Sequence, residues 1–508
     1  MSKIVLIGLD GASWPVIDYL LRDNKLPTFK RLINNGVRKT LYNVSMINVD
    51  PWQIFYMYRE YRKKIPRLGT HHEADDWTTL ATGVMPDRHG VVASTETNIQ
   101  GMELPVSRRN KKKPTVWEII TRHNKKIGVI GWVANWPPSS LPYYTVTRIS
   151  DVFHSFGGVG TYKPSFNNGF FLCNPTYPKR LWKDLLRIDY DREIDGFIQR
   201  IPAVTIGLEL VHDSLYIEWA KYLLEKFPQP DFLAICLHGI HTLSHVFWDC
   251  LEIEKSNFKG AVHQNRQRKF GYIIEDYYRY LDKKISEVFS LIDKDSIVVI
   301  VSDHGMTSSR ITKKYLLMDR IYEKLGLLRF KNGKIDWRNT QVYDNINRWG
   351  IFAIRKGFIR HRYPQNFFKK FKKLMRGIKT EKNEPLFLGV DFNKDDNSFT
   401  VVPNYKAIHY STKVFLNNNV FPARELINFI PHYSLHDPEG IFIISGRDMQ
   451  HCNVIESMIT TLDIAPTIFD LLGIQHKDTD IKGRVIFKIK AKGGTNETRT
   501  NIGKICNA

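Results

Sequence analysis

An aspartate and a histidine are adjacent at Asp303 and His304, one residue after the apolar run Ile297–Val301 and before a glycine. An unbroken apolar run predicts a strand that is buried on both faces, as in a parallel sheet. Ligands of open α/β sheets collect at the ends of such strands, where a carboxylate and an imidazole can bind a metal ion. The alternative is a capping aspartate beside a surface histidine, so this motif does not decide the function by itself.

A second candidate for metal binding is the pair His241 and His245, which follows the apolar run Asp231–Leu237. Residues four apart share one face of a helix, with side chains roughly 6 Å apart, so both imidazoles can bind one ion. A lone histidine is more often a buried core residue. The spacing of this pair, at the end of a predicted strand, favours a metal.

The start of the chain repeats the pattern of a strand that ends at a carboxylate. The apolar, β-branched segment Lys3–Leu9 ends at Asp10, and a helical pattern follows it. Asp10 is therefore predicted at the same kind of position as Asp303. Its alternative role is to cap the helix that follows.

The composition is that of a soluble globular protein, with 508 residues, 43% hydrophobic and 25% charged. The net charge of +22 favours anionic partners, with a solvated lysine-rich surface as the alternative. Five scattered cysteines without CxxC spacing argue against a disulfide framework and a zinc–thiolate site. We expect a cytoplasmic protein, because the apolar start is too short for a signal peptide and no run of about 18 apolar residues could span a membrane.

Several separate blocks of the chain resemble, in the same order, the type I phosphodiesterase/nucleotide pyrophosphatase family of the alkaline phosphatase superfamily. They are LIGLDGASWPVIDYLLRDNKLPTFKRLINNGV (Leu6–Val37), DDWTTLATGVMPDRHGV (Asp75–Val91), KKIGVIGWVANWPPSS (Lys125–Ser140), YSLHDPEGIFIIS (Tyr433–Ser445) and TLDIAPTIFDLLGI (Thr461–Ile474). A further block, Tyr315–Asn345, resembles the lid-like region of the prokaryotic branch. The resemblance implies an alkaline-phosphatase-like α/β fold, with a central, mostly parallel sheet flanked by helices and an inserted lid or cap.

The resemblance also implies two metal positions. One would be formed by Asp10, Asp303 and His304, and the other by His241, His245 and His436. Two divalent cations, zinc or manganese, would occupy them. The family has an aspartate at the position of His241, so this chain lacks one negative charge there, which should weaken the binding of hard ions.

The nucleophile expected from the resemblance is a threonine or serine four residues before a tryptophan. Counting back from Trp77 gives Glu73, and Thr70 is a nearby hydroxyl in a shifted register. A hydroxyl beside a divalent cation can take up a phosphoryl group. A glutamate could bridge metals or accept a proton. Glu73 and Thr70 are therefore the catalytic candidates.

These residues predict a metal-dependent hydrolase that cleaves a phosphodiester or a nucleotide-type diphosphate by two-metal, in-line phosphoryl transfer. The first alternative is a degenerate family member that binds a metal or an anionic ligand without turnover. The second is another phosphoryl-transfer activity of the superfamily, a phosphomutase or a phosphatase. The expected substrate is a small phosphorylated molecule, and no specific nucleic-acid binding is predicted.

We expect a discontinuous catalytic core at residues 1–310 and 430–490, an inserted lid or cap at 311–429, and a disordered tail at 491–508. Within the insertion, Asn366–Arg376 places phenylalanines on one helical face and lysines on the other. Such a helix could lie on an anionic membrane surface. The alternative is a helix that packs on the core and leaves its basic face in solvent.

Overall fold

The computed structural model describes residues 3–47, 73–138, 143–148, 176–344, 355–359, 365–446 and 453–488, with short gaps inside several of these ranges. Its helices are α1 (Trp14–Arg22), α2 (Pro27–Asn34), α3 (Val44–Ile47), α4 (Glu73–Thr82), α5 (Pro86–His89), α6 (Val116–Arg122), α7 (Leu181–Leu185), α8 (Glu193–Ile198), α9 (Val204–Lys226), α10 (Gly239–Phe247), α11 (Ala261–Phe270), α12 (Ile273–Ser290), α13 (Met318–Lys324), α14 (Gln365–Arg376), α15 (Ala423–Leu426) and α16 (Ile464–Leu471).

The strands up to the inserted region are β1 (Ile4–Leu9), β2 (Gly36–Tyr42), β3 (Thr95–Thr97), β4 (Glu103–Pro105), β5 (Ile127–Trp132), β6 (Tyr143–Thr147), β7 (Thr176–Tyr177), β8 (Phe232–Leu237) and β9 (Ile297–Val301). The later strands are β10 (Gly305–Leu316), β11 (Phe330–Lys331), β12 (Lys334–Ile335), β13 (Val342–Asp344), β14 (Arg355–Ile359), β15 (Lys379–Thr380), β16 (Phe387–Asn393), β17 (Ser398–Pro403), β18 (Lys413–Leu416), β19 (Asn419–Pro422), β20 (Ile427–Asp437), β21 (Glu439–Ser445), β22 (Asn453–Val454), β23 (Ile459–Thr460) and β24 (Phe487–Lys488).

Within the described ranges, nine strands form a central sheet in the order β23-β2-β21-β9-β1-β8-β5-β6-β7. The five consecutive strands β9, β1, β8, β5 and β6 run parallel to one another. The antiparallel pairings lie toward the two ends, at β21, β2 and β7. The predicted central, mostly parallel sheet flanked by helices is therefore confirmed.

The centre of the sheet is buried on both faces because β1, β5, β8 and β9 are apolar at every position. In β1, Val5 and Ile7 belong to one hydrophobic cluster and Ile4 and Leu6 to another, so alternate side chains point to opposite faces. Helices α1, α9 and α12 cover the first face, and α4, α6 and α16 cover the second. This two-sided burial is what the unbroken apolar runs predicted.

Gly8, in β1, sets how closely α4 approaches the sheet. A Cβ atom at this position would lie 2.7 Å from the ring of Trp77, so only glycine leaves room for the tryptophan. The ring of Trp77 is fully buried, and its Nε1 lies 3.3 Å from Oδ2 of Asp10. The start of α4 is thereby held beside the end of β1.

The inserted region has a hydrophobic cluster of its own, built from residues between Met318 and Ile427. Its first and last strands, β10 and β20, pair in antiparallel fashion, with Met306 opposite His436. The predicted boundaries of the insertion stay a prediction, and the proposed tail 491–508 lies outside the described residues.

Helix α14 contains the amphipathic segment for which a membrane surface was considered. Phe371 and Met375 are buried in the cluster of the inserted region, and Phe367, Phe368 and Leu374 pack against it. The apolar face therefore faces the protein interior, and the membrane-surface role has no support. No helix in the described ranges is long and apolar enough to cross a membrane.

Candidate metal centre

Three neighbouring parallel strands deliver polar side chains to the same edge of the sheet. Leu9 of β1 lies opposite Leu237 of β8, and Gly8 lies opposite Val301 of β9. Asp10 and His238 follow directly after β1 and β8, and the Asp303–His304 pair follows β9 after one residue, Ser302. Asp10 does not cap α1, because Ser13 occupies the N-cap position of that helix.

The first group, Asp10, Asp303 and His304, is fully buried. Nε2 of His304 lies 3.4 Å from Oδ1 of Asp10 and 3.7 Å from Oδ2 of Asp303. Within the described part of the chain, Oδ1 of Asp10 and both side-chain oxygens of Asp303 have no hydrogen-bond partner. Buried carboxylate oxygens without a donor are costly. They fit a group that binds a cation.

The two carboxyl groups of this site have opposite pKa shifts. Burial raises the pKa of Asp303 well above its usual value, and the neighbouring carboxylate of Asp10 raises it further. Burial also acts to raise the pKa of Asp10, but His241 and the hydrogen bond with His238 outweigh burial and lower it. A bound cation would favour the ionised form of both carboxyl groups and would oppose the effect of burial on the pKa of Asp303.

The second group consists of three histidines whose Nε2 atoms meet at one point. Nε2 of His241 lies 3.0 Å from that of His245 and 3.0 Å from that of His436, and the latter two are 2.9 Å apart. Three imidazole nitrogens cannot all satisfy one another by hydrogen bonds, because each offers either one proton or one lone pair. A shared cation would satisfy all three nitrogens at once. We call this group the three-histidine position and the first group the carboxylate position.

The two groups adjoin each other. The rings of His304 and His436 stack with their centroids 4.0 Å apart, and the centroids of His241 and His304 are 5.5 Å apart. Gly11 allows the backbone of His241 to lie this close to the carboxylate group. A Cβ at Gly11, whose φ is the left-handed +70°, would lie 3.0 Å from Cα of His241. The arrangement offers two neighbouring cation positions on one side of the sheet.

Arg266, on α11, joins the two elements that carry the three histidines. Its guanidinium donates to both carboxylate oxygens of Asp249, at 2.7 and 3.0 Å, just after the end of α10. It also donates to the carbonyl of Val246, at 2.6 Å, within α10 and next to His245. The same guanidinium lies over the ring of Tyr433 on β20, 4.3 Å from its centroid. Tyr433 precedes His436 by three residues. Arg266 therefore fixes α10 relative to β20.

Glu73 is the first residue of α4 and lies beside the carboxylate position. Its Oε1 atom is 2.7 Å from a guanidinium nitrogen of Arg148 and 2.9 Å from Nδ1 of His238. Burial acts to raise the pKa of Glu73, but Arg148 and His238 outweigh burial and hold it well below its usual value. Asp10, Glu73 and His238 are close enough to hold an ion. The guanidinium of Arg148 already supplies the positive charge there.

Sequence reasoning assigned no role to His238, Arg148 or Glu209, which join this network. Nδ1 of His238 also lies 3.1 Å from Oδ2 of Asp10, and Arg148 reaches Glu209 at 3.7 Å. His238 could have been found, because it follows β8 and precedes the histidine pair. Arg148 and Glu209 carry no local signal, since each is one charged residue at the end of a strand or within a long helix.

A family model described as type I phosphodiesterase / nucleotide pyrophosphatase matches residues 72–447, well over half of the chain. The chain belongs to this family. The resemblance read from the sequence is therefore confirmed. No curated protein sequence matches the chain.

Two hydroxyls near the nucleophile position expected from the family are already hydrogen-bonded. The hydroxyl of Thr79 is bonded to Nε2 of His89 at 3.0 Å, and that of Thr82 donates to the carbonyl of Thr78 at 2.7 Å. Thr70 lies outside the described residues.

Solved structures of several proteins resemble this member of the family weakly. Phosphonoacetate hydrolase from Sinorhizobium meliloti 1021, in complex with phosphonoformate, is 12% identical, with 91% of this chain and 94% of that chain covered and a TM-score of 0.41. Murine ectonucleotide pyrophosphatase/phosphodiesterase 5 is 12% identical, with 96% and 100% covered and a TM-score of 0.41. The human protein of that name is 14% identical, with 94% and 96% covered and a TM-score of 0.38. At this level of similarity, neither substrate nor site transfers to the present chain.

Proposed function

We propose that this protein is a metal-dependent hydrolase that cleaves a phosphodiester or a nucleotide-type diphosphate, with water as the nucleophile. The observation that carries the proposal is the convergence of three imidazole nitrogens, 2.9–3.0 Å from one another, beside the buried carboxylate position. Family membership supports phosphoryl hydrolysis as the class of reaction.

The donors present fit two divalent cations, zinc or manganese. Asp10, Asp303 and His304 would hold one, and His241, His245 and His436 the other. When bound, such a pair would neutralise the negative charge of the phosphoryl oxygens. It would also lower the pKa of a water molecule, so that hydroxide is available as the nucleophile. The fit rests on the carboxylate oxygens of the first group that have no hydrogen-bond partner among the described residues, and on the three converging nitrogens of the second.

Glu73 is poorly suited to act as the nucleophile. Its carboxylate is held by Arg148 and His238, so an attack on phosphorus would break both ion pairs and form a reactive acyl phosphate. We assign Glu73 the role of fixing His238, which in turn contacts Oδ2 of Asp10 and leaves Oδ1 facing the cation position. Hydrolysis then takes one displacement. The bond from the water oxygen to phosphorus forms as the bond to the leaving oxygen breaks, and the proton of water passes to solvent.

The second candidate function is binding of a metal or an anionic ligand without turnover. Glu73 favours this binding role. It occupies the position of the expected nucleophile but has no hydroxyl, and its carboxylate is held in ion pairs with Arg148 and His238.

Hydrolysis of bis-p-nitrophenyl phosphate and p-nitrophenyl phosphate, with zinc or manganese added, separates these two candidates. We expect turnover of the diester by the wild type, unchanged turnover by Thr70→Ala, and no covalent phosphoryl adduct on the denatured protein by mass spectrometry. An adduct on Thr70, or loss of turnover in Thr70→Ala, would contradict water as the nucleophile. Stoichiometric metal binding without any turnover would favour the binding protein.

A further inference from the structure

We propose that the two cation positions select different metals. The three-histidine position would take a zinc-like ion, and the carboxylate position would take a harder ion such as manganese. This inference rests on the proposed two-metal function and deepens it, because it names the composition of the cofactor. It predicts a mixed-metal centre in place of two identical ions.

The ligand sets of the two positions differ in charge. The three-histidine position offers three neutral imidazoles, whose Nε2 atoms lie 2.9–3.0 Å apart. The carboxylate position offers Asp10 and Asp303 with a single imidazole from His304. Imidazole suits zinc, copper, iron and nickel, whereas carboxylate and water suit magnesium, calcium and manganese. Three histidines also form a known ligand set of catalytic zinc, which keeps its fourth position open.

The two positions also differ in burial. Asp10, Asp303 and His304 have no exposed surface, whereas His241, His245 and His436 are only partly buried. A hard cation at the buried position has its charge balanced by two carboxylates, which water cannot otherwise stabilise there. A zinc ion on three imidazoles would keep a net positive charge at the more accessible position, where it would attract an anionic phosphoryl group.

His241 determines the difference between the two positions. Its backbone lies against Gly11, next to Asp10, so an aspartate here would add a third carboxylate to the same region. The charge of Glu73 does not compensate for the missing carboxylate, because Arg148 and His238 neutralise it. The imidazole at position 241 therefore leaves the three-histidine position without a carboxylate ligand.

The test uses full-length protein stripped by a chelator, then given one equivalent of zinc and an excess of manganese. Zinc outcompetes manganese at most sites, so limiting zinc reveals which position it prefers. We expect one zinc per chain by mass spectrometry of the metals, and one bound manganese by electron paramagnetic resonance. Cobalt in place of zinc should give the visible spectrum of a four-coordinate ion.

Three variants assign the two ions to their positions. Asp303→Asn should lose the manganese signal and keep the cobalt spectrum. His241→Asp should reduce the preference for zinc over manganese by at least about 10-fold at its position, within the range that changes around a metal site produce. His123→Asp makes the same substitution at an exposed histidine outside the centre and should change neither signal. Circular dichroism verifies that each variant is folded.

The outcomes for cofactor and function are separable. Equal zinc occupancy of both positions under limiting zinc, or loss of both metals together in Asp303→Asn, would overturn the mixed-metal centre even if the enzyme is active. A mixed-metal centre in a protein without turnover would sustain this inference and overturn the proposed hydrolase.

Discussion

The two halves of the candidate centre are built from different kinds of structure. The carboxylate position lies at the ends of β1 and β9, which are adjacent strands of one parallel sheet. The three-histidine position combines a helix, α10, with a strand that returns from the inserted region almost 200 residues later. The first half is fixed by the hydrogen bonds of the sheet, whereas the second depends on how α10 and β20 pack together.

The carboxylate position and the three-histidine position differ in the supporting contacts that they need. The carboxylate position needs little beyond the sheet itself and the contacts of Trp77 and His238 with Asp10. The three-histidine position needs additional contacts, including the hydrogen bond of 2.9 Å from the hydroxyl of Ser434 to the carbonyl of Ser244. Arg266 adds its contacts to Asp249, Val246 and Tyr433. We therefore expect distant substitutions to disturb the second half more readily than the first.

The largest expected effect comes from removing a charge at the carboxylate position. Asp303→Asn keeps the size of the side chain but removes the negative charge that would bind a cation. We therefore expect diester turnover to fall by more than about 100-fold, since losses at supporting residues alone reach roughly 10–100-fold. Steady-state kinetics measure this, with Asp437→Asn as a matched control beside the centre. Activity close to that of the wild type would show that this position is not part of the active centre.

The next effect lies at the junction of the two halves. Gly11→Ala should lower the free energy of unfolding by about 2 kcal/mol, because alanine is strained at a φ of +70° and its Cβ would press on the backbone of His241. Chemical denaturation measures this. Gly196→Ala is the control, since no described residue lies within 4 Å of its added Cβ and alanine favours helix α8. Equal stability of the two variants would argue against a tight contact at Gly11.

A smaller effect should separate the two halves directly. Arg266→Lys keeps the positive charge but loses the paired hydrogen bonds to Asp249 and the contact with Val246, so the three histidines should bind zinc roughly 10-fold more weakly. Manganese binding at the carboxylate position should stay unchanged. Arg268→Lys, on the exposed side of the same helix, is the control. A parallel loss of both metals would show that Arg266 acts on overall stability alone.

The smallest effect concerns His89, a buried histidine outside the candidate centre. Its titration measures how acid affects the stability of the fold apart from the candidate metal ligands. Burial lowers the pKa of His89 to about 3, with a further contribution from Lys111. Below about pH 6.5, the unfolded chain therefore binds a proton at His89 that the folded chain does not. The contribution of His89 to the free energy of unfolding is fully present above that pH and declines as the pH falls.

Between pH 7.5 and 5.5, this histidine should cost about 1 kcal/mol of unfolding free energy. Denaturation of metal-free wild type and His89→Gln at both pH values measures the difference, because the histidines of the centre are common to both proteins. Identical pH dependence in the two proteins would show that His89 takes up its proton without unfolding.

The apolar runs of the sequence predicted the strands at which the carboxylate position is built. Ile297–Val301 is a buried strand as expected, and Asp10 and Asp303 follow neighbouring strands. The interpretation of His241 and His245 as a pair on one helical face agrees with their position in α10. These predictions succeeded because hydrophobic periodicity and short spacing are local properties of the chain. The metal-binding roles of these residues stay predictions.

Partners that are distant in the sequence were decided by the tertiary structure. The resemblance to the family placed Glu73 at the nucleophile position, but only the fold brings it to Arg148 and His238, 75 and 165 residues later. Arg266 and Tyr433 meet in the same way. The sequence by itself determined the strands, the helix and the edge of the sheet that carries the ligands. Which charges neutralise one another at that edge depends on packing between distant segments, and no local pattern encodes it.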